Sequence, residues 1–337
     1  MICLKFMLVV TSILTHVEGA SGVTPICPSE EEIFPCTCEV DSTSLLRLDC
    51  SDVASENELS MIFNNELPTK NFHSLKITKN DKLKTLPKGV FGKNTFEEVL
   101  FIEGALEVVQ PEALIGSAST LRKLQIRSHK LRSFPFGEVG YYRNLSKLYL
   151  GNNDLDSFPR IVSTSLKELN LAQNPLKHIP AGGLYGMPNL RIVYLYSCEI
   201  AEVPAGTFTG LRNLFYLTLA DNKLTEIRPY SFELHTKNGR LFLTSNNISK
   251  IAKNSINGVS YFLNMNENSV VFLEEEIFRP VLERGAHLSI ESNPLACGCD
   301  IAWLVRSPNL LAKVEGRSAC SDGTLITEQD PTDYIMC

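Results

Sequence analysis

The sequence predicts an α/β solenoid: a curved stack of coils with a parallel sheet on its concave side, irregular returns on its convex side and a disulfide-bonded cap at each end. Three observations predict it. One frame of aliphatic positions recurs ten times, its copies stand at a nearly constant spacing, and eight cysteines bracket the recurring region in two groups of four.

The frame is L-x-x-L-x-L-x-x-N/C-x-L. It is complete at Leu145, Leu148, Leu150, Asn153 and Leu155, and in the copies built on Leu166 and Leu214. Leu190, Val193, Leu195, Cys198 and Ile200 carry a cysteine in place of the asparagine. Copies around Leu241, Leu263 and Leu288 lack the first apolar residue, and three weaker copies start at Phe72, Phe96 and Leu121. The ninth position falls at 80, 104, 129, 153, 174, 198, 222, 246, 268 and 293, so the spacing stays between 21 and 25 residues. This is the signature of a leucine-rich repeat, in which each coil buries its apolar face only against its neighbours.

Each segment follows from that frame. Side chains alternate along a strand, so positions four and six point inward while three, five and seven point out. The chain must then turn inside the stack, where buried N–H and C=O groups need partners. An inward asparagine amide can both donate and accept there. Cys198, remote in sequence from every other cysteine, takes the same slot as a small apolar residue and is expected to be a reduced, inert thiol. His129 and Gly104 stand at equivalent positions, His129 as a structural imidazole. On the return side, Pro87 to Phe91, Pro180 to Leu184 and Pro204 to Leu211 combine proline and glycine turns with an inward apolar residue. Short irregular or single-turn helical returns are expected.

Bulk properties agree. The chain has 337 residues, 44% of them hydrophobic, and a net charge of −6, which fits neither a disordered chain nor a basic nucleic-acid binder. Residues 1–19 read as a cleaved secretory signal that takes Cys3 with it, and nothing later is apolar for long enough to suggest membrane insertion. Cys27, Cys36, Cys38 and Cys50 precede the frames, and Cys297, Cys299, Cys320 and Cys337 follow them. Each group allows two disulfides in three connectivities. A zinc site would favour C-x2-4-C spacing, whereas the close pairs here are C-x-C, so no metal is expected. The resulting division is a signal over 1–19, an N-terminal cysteine-rich cap over 20–70, ten repeats over 71–293 and a C-terminal cap over 294–337.

Catalytic signatures are missing. There is no H-E-x-x-H, G-x-S-x-G, phosphate loop or dinucleotide fingerprint, and the acidic run Glu274 to Glu276 reads as a solvated patch in a convex return. Neither an enzyme nor a cofactor is expected. What the frame offers is a broad face of ten strands about 4.8 Å apart, on the order of 45 Å long. Its early coils present Lys76, Glu98, Lys123, Gln125, Arg127 and Lys147; later ones present Tyr149, Ile192, Tyr194, Tyr196, Tyr216, Arg240, Phe242 and Phe262. Aromatic and arginine side chains anchor protein interfaces, so these later residues form the candidate binding face. The competing reading is that the rings stack on one another and support the sheet. The sequons at Asn144 and Asn247 fit a secreted glycoprotein, with Asn247 exposed beside ladder residue Asn246.

The ends carry a closer likeness. CPSEEEIFPCTCEVDSTSLLRLDC and the closing NPLACGCDIAWL segment through Cys337 resemble the caps of a group of secreted arthropod leucine-rich repeat proteins that includes a luciferase accessory subunit. The resemblance spans the mature chain. It implies pairing of Cys27 with Cys38, Cys36 with Cys50, Cys297 with Cys320 and Cys299 with Cys337, and Trp303 as a lid over the last coil. It also implies a non-catalytic binding or scaffold protein that recognises another extracellular protein through its concave face, with a small luciferase catalytic polypeptide among the implied partners. The alternative is an innate-immune or extracellular-matrix protein that recognises a glycan or microbial ligand.

Overall fold

Each of the ten frames contributes one strand to a single sheet in the computed structural model, which describes residues 26–337; the expected signal segment and Cys3 lie outside the described residues. The strands are Asn71–Asn80, Thr95–Gly104, Lys123–Arg127, Lys147–Tyr149, Glu168–Asn170, Ile192–Tyr194, Tyr216–Thr218, Arg240–Phe242, Phe262–Asn264 and His287–Ser289. Consecutive strands pair in parallel with the frame in register: Leu124 faces Leu148, Leu148 faces Leu169, and Val193 faces Leu217. All of these side chains are buried.

The sheet has thirteen strands, three more than the frames supply. Thr37–Val40 and Leu46–Asp49 form an antiparallel hairpin whose second strand continues the parallel stack, and Val314–Glu315 adds the last strand from the other cap. The Asp41 carboxylate accepts from the hydroxyl and N–H of Thr43, the N–H of Leu45 and the Arg47 guanidinium, which ties the hairpin turn. Disulfides join Cys27 to Cys38, Cys36 to Cys50, Cys297 to Cys320 and Cys299 to Cys337. Trp303 is buried against the last coils, where its indole N–H donates to the Leu273 carbonyl at 2.9 Å and the Arg279 guanidinium lies 5.2 Å from the ring centroid.

The convex returns are mostly turns and short bridged pairs, such as Thr85–Leu86 with Val108–Val109. One return departs from the expected irregular form. Glu275–Glu283 is a nine-residue helix because Ile277, Phe278, Val281 and Leu282 fall on one helical face, which it buries. The acidic run at its start is solvated as expected, with Glu275 paired to Arg279 at 2.7 Å and Glu276 to Lys253 at 3.0 Å.

Between sheet and returns runs the polar ladder. In all ten coils the residue before the ladder position has a positive φ, from 52° at Lys79 to 60° at Ser128, and none is glycine. That left-handed turn costs roughly 1–2 kcal/mol per residue, and it directs the next side chain into the stack. Asn222 shows what the turn gains: its amide donates to the carbonyls of Leu195 at 2.8 Å and Leu219 at 2.9 Å, while its oxygen accepts from the N–H of Ile200 at 2.9 Å. Asn153, Asn174, Asn246, Asn268 and Asn293 repeat the pattern, each reaching the preceding coil.

Cys198 fills the slot as a free, fully buried thiol that donates to the Leu171 and Tyr196 carbonyls at 3.4 Å. Burial pushes its pKa up to about 11. It offers no good acceptor, and the amide that an asparagine would have satisfied, that of Leu176, turns to the Asn174 carbonyl at 2.8 Å instead. Gly104 and His129 form a matched pair. A Cβ at Gly104 would lie 2.4 Å from the Asn80 carbonyl and 2.9 Å from His129 Cε1, so the bare glycine leaves room for the imidazole. His129 Nδ1 then accepts from the Leu106 N–H at 3.1 Å, the bond an asparagine oxygen makes in other coils.

Candidate binding face

Sheet register decides which of the outward residues meet. Position three of successive coils forms one column, with Glu168, Ile192, Tyr216, Arg240 and Phe262 in line, and position five forms another, with Tyr149, Asn170, Tyr194, Thr218 and Phe242. Four rings alternate between the columns as the coils advance. Tyr194 lies 5.4 Å from Tyr216, Tyr216 lies 5.0 Å from Phe242, and Phe242 lies 5.7 Å from Phe262, with interplanar angles of 35° to 52°. The zigzag gives each ring a tilted contact with the next at the separation aromatic pairs favour. All four remain half-buried, each with an edge open to the concave side.

The other expected residues lie around this file and do not extend it. Ile192 sits half-buried in the position-three column beside Tyr216. Arg240 turns away from the rings and places its guanidinium 4.1 Å from the centroid of Tyr261, a residue at frame position two on the sheet margin. Tyr149 is two coils from Tyr194, and its hydroxyl donates to Glu168, which also pairs with Lys147 at 3.1 Å. Burial and that carboxylate raise the Tyr149 phenol well above its ordinary value, and burial raises Tyr194 and Tyr216, so these tyrosines are neutral donors at physiological pH.

Tyr149, Tyr194 and Tyr196 also border a hollow of about 400 Å³ with Gln125, Arg127, Asn152, Asn170 and Gln173. Gly151, at the outward position seven, makes room for it. Frame arithmetic marks Gln125 and Arg127 as outward but does not pick out Asn152 or Gln173, which occupy the left-handed turn positions. The concave face therefore has a polar end, a tyrosine-bordered hollow and an aromatic file, in chain order. Among the described residues no group of histidine, cysteine and carboxylate side chains could hold a metal ion.

Away from this face, Asn144 and Asn247 are both exposed, and the Asn144 amide donates to the Ser119 carbonyl at 2.6 Å. The four disulfides fit an oxidising compartment. No helix among the described residues is long and apolar enough to cross a membrane.

Comparison with known proteins agrees with the repeat architecture. The Leucine rich repeat family matches residues 143–200 and 188–248. The chain is 36% identical over 316 residues to the Oplophorus-luciferin 2-monooxygenase non-catalytic subunit of Oplophorus gracilirostris, covering 92% of this chain and 88% of that protein. It is 29% identical to keratocan of Mus musculus over 177 residues, about half of each chain. In fold it is similar to a chain in the octameric complex of Latrophilin 3, Unc5D and FLRT2 (LRR), with a TM-score of 0.69 over 92% of this chain and 17% identity. The chain therefore belongs to the leucine-rich repeat family that includes the Oplophorus non-catalytic subunit.

Proposed function

We propose that the chain is a secreted binding protein that holds another extracellular polypeptide against its concave face, with the Tyr194, Tyr216, Phe242 and Phe262 file as the anchor. The observation that carries this reading is the file itself: four contacting rings on four consecutive strands, all partly exposed on the concave side. Rings that only braced the sheet would serve as well with their edges covered. Tyr149, Ile192, Tyr196 and Arg240 form the rim. The named activity of the Oplophorus relative supports a luciferase catalytic polypeptide as one partner, for which this chain would be the accessory subunit. The same reading has residues 1–19 leave as a signal, 20–70 and 294–337 cap the repeats of 71–293, and Asn144 and Asn247 carry glycans.

Immobilised chain is used to capture polypeptides from the animal's own secretion, beside a Tyr194→Ala, Tyr216→Ala variant. Central aromatic anchors are worth roughly 2 kcal/mol or more each, so the expected result is one defined polypeptide held by the wild type and lost by the double variant, whose fold survives. Equal capture by both chains would remove the concave face from the account. A second reading, a glycan ligand, draws on the hollow bordered by tyrosines and amide side chains; it expects release by competing free sugar and no polypeptide.

A further inference from the structure

A second surface lies outside the concave face. At frame position two the chain passes from the convex return into the strand, and these residues stack on the lateral margin: the N–H of Ser146 donates to the Arg122 carbonyl at 2.9 Å, that of Lys167 to Ser146 at 2.9 Å, and that of Arg191 to Lys167 at 2.8 Å. Arg143, three residues earlier in its coil than this column, joins them around a hollow of about 390 Å³. Four cationic groups thus converge on one margin of a chain whose net charge is −6.

Three of the four have no acidic partner among the described residues. Arg122 has Glu97 at 3.4 Å, but among the described residues Arg143, Lys167 and Arg191 have no carboxylate within 4.0 Å, and all three are exposed. In the adjacent outward column, Glu168 belongs to the concave face and is occupied by Lys147 and Tyr149. Uncompensated like charges held on coils about 4.8 Å apart repel one another, and an anion bound between them removes that repulsion.

We propose that this margin binds a sulfated polysaccharide, with Arg143, Lys167 and Arg191 as its sulfate contacts. The rest of the lining decides the ligand class. It consists of short hydroxyl and amide side chains such as Ser146 and Asn189, which suit sugar hydroxyls and sulfate oxygens, and no aromatic ring borders the hollow. Single-stranded nucleic acid would want stacking platforms there. A column of cations at the coil repeat matches an extended polymer whose anionic groups recur along its length. Asn144 lies in the same hollow, so a glycan on it would narrow the site, and retention is read in the chain as secreted and again after removal of its N-glycans, where it should rise.

Secreted chain, as it stands and after removal of its N-glycans, is applied to immobilised heparin at about 0.15 M salt, where exposed charges are screened beyond about 8 Å, alongside an Arg143→Gln, Lys167→Gln, Arg191→Gln variant and an Arg143→Lys, Arg191→Lys variant. The wild type should be retained, the glutamine variant should bind at least tenfold more weakly with its thermal midpoint unchanged, and the lysine variant should keep most retention. Tyr194→Ala with Tyr216→Ala should leave retention untouched, which separates this site from the concave face. Wild-type flow-through, equal retention of the glutamine variant, or equal binding to desulfated heparin would overturn the proposal. Tighter binding to single-stranded DNA than to heparin would overturn the ligand class.

Discussion

Asn222→Ala tests how firmly the polar ladder fastens one coil to the next. In the wild type its side-chain oxygen accepts from the N–H groups of Cys198 at 3.0 Å and Ile200 at 2.9 Å, and both residues are fully buried. Alanine leaves those two donors without a partner at about 1–3 kcal/mol each, or about 2–6 kcal/mol together. The Leu195 carbonyl loses a donor as well, while that of Leu219 keeps the Asn246 amide at 2.9 Å; the middle of the range, about 4 kcal/mol, is the expected loss. Cys198→Ala is the control: it removes only two weak thiol contacts at 3.4 Å and one small atom, for about 1 kcal/mol. Urea unfolding gives the loss from the midpoint and slope, and amide exchange should show the opening confined to the coils around residues 195–224. If Asn222→Ala costs less than about 1 kcal/mol, or no more than Cys198→Ala, the side-chain ladder is not what the coils depend on.

Two further outcomes follow from the Gly104 and His129 pair. Burial holds the His129 pKa down to about 4 against an ordinary 6.5, so the unfolded chain takes up the proton first. This contribution to stability is whole above about pH 6.5 and is lost as the pH falls toward 4, and a His129→Gln chain should lose less of its urea midpoint over that window; parallel losses in both chains would refute the assignment. Gly104→Ala sets a methyl group 2.4 Å from the Asn80 carbonyl and should cost about 1–3 kcal/mol, with no rescue from His129→Ala because the clash is with backbone; a neutral thermal midpoint would show that the two coils part easily.

The solenoid was legible because two periods coincide in the sequence: alternation within each strand and a repeat of about 24 residues between ladder positions. Leu148, Leu169 and Leu217 could be placed in register from that alone. The cap strands Thr37–Val40, Leu46–Asp49 and Val314–Glu315 were not expected, since the caps carry only part of the frame: Cys50 stands level with Ile77, and Gly316 level with Ile290. The helix at Glu275–Glu283 is written in four apolar residues inside a return whose glutamates dominate the reading. On the concave face, alternation identified which residues point outward but not which touch. The zigzag from Tyr194 to Phe262 depends on side-chain angles, and Arg240 left the file for Tyr261, a marginal residue outside the outward positions. The basic margin was invisible for a related reason. Its residues are far apart in sequence and become a column only when coils stack.

The side chain of every ladder asparagine from Asn153 to Asn293 clasps the coil before it and takes no bond from the coil after it; Asn80, the first, clasps the Ser51 and Val53 carbonyls of the cap. The stack therefore has a direction of assembly. As the polypeptide is delivered from its amino end, each new turn can latch onto a finished predecessor, and a half-made chain is a shorter version of the whole that lacks only its far lid.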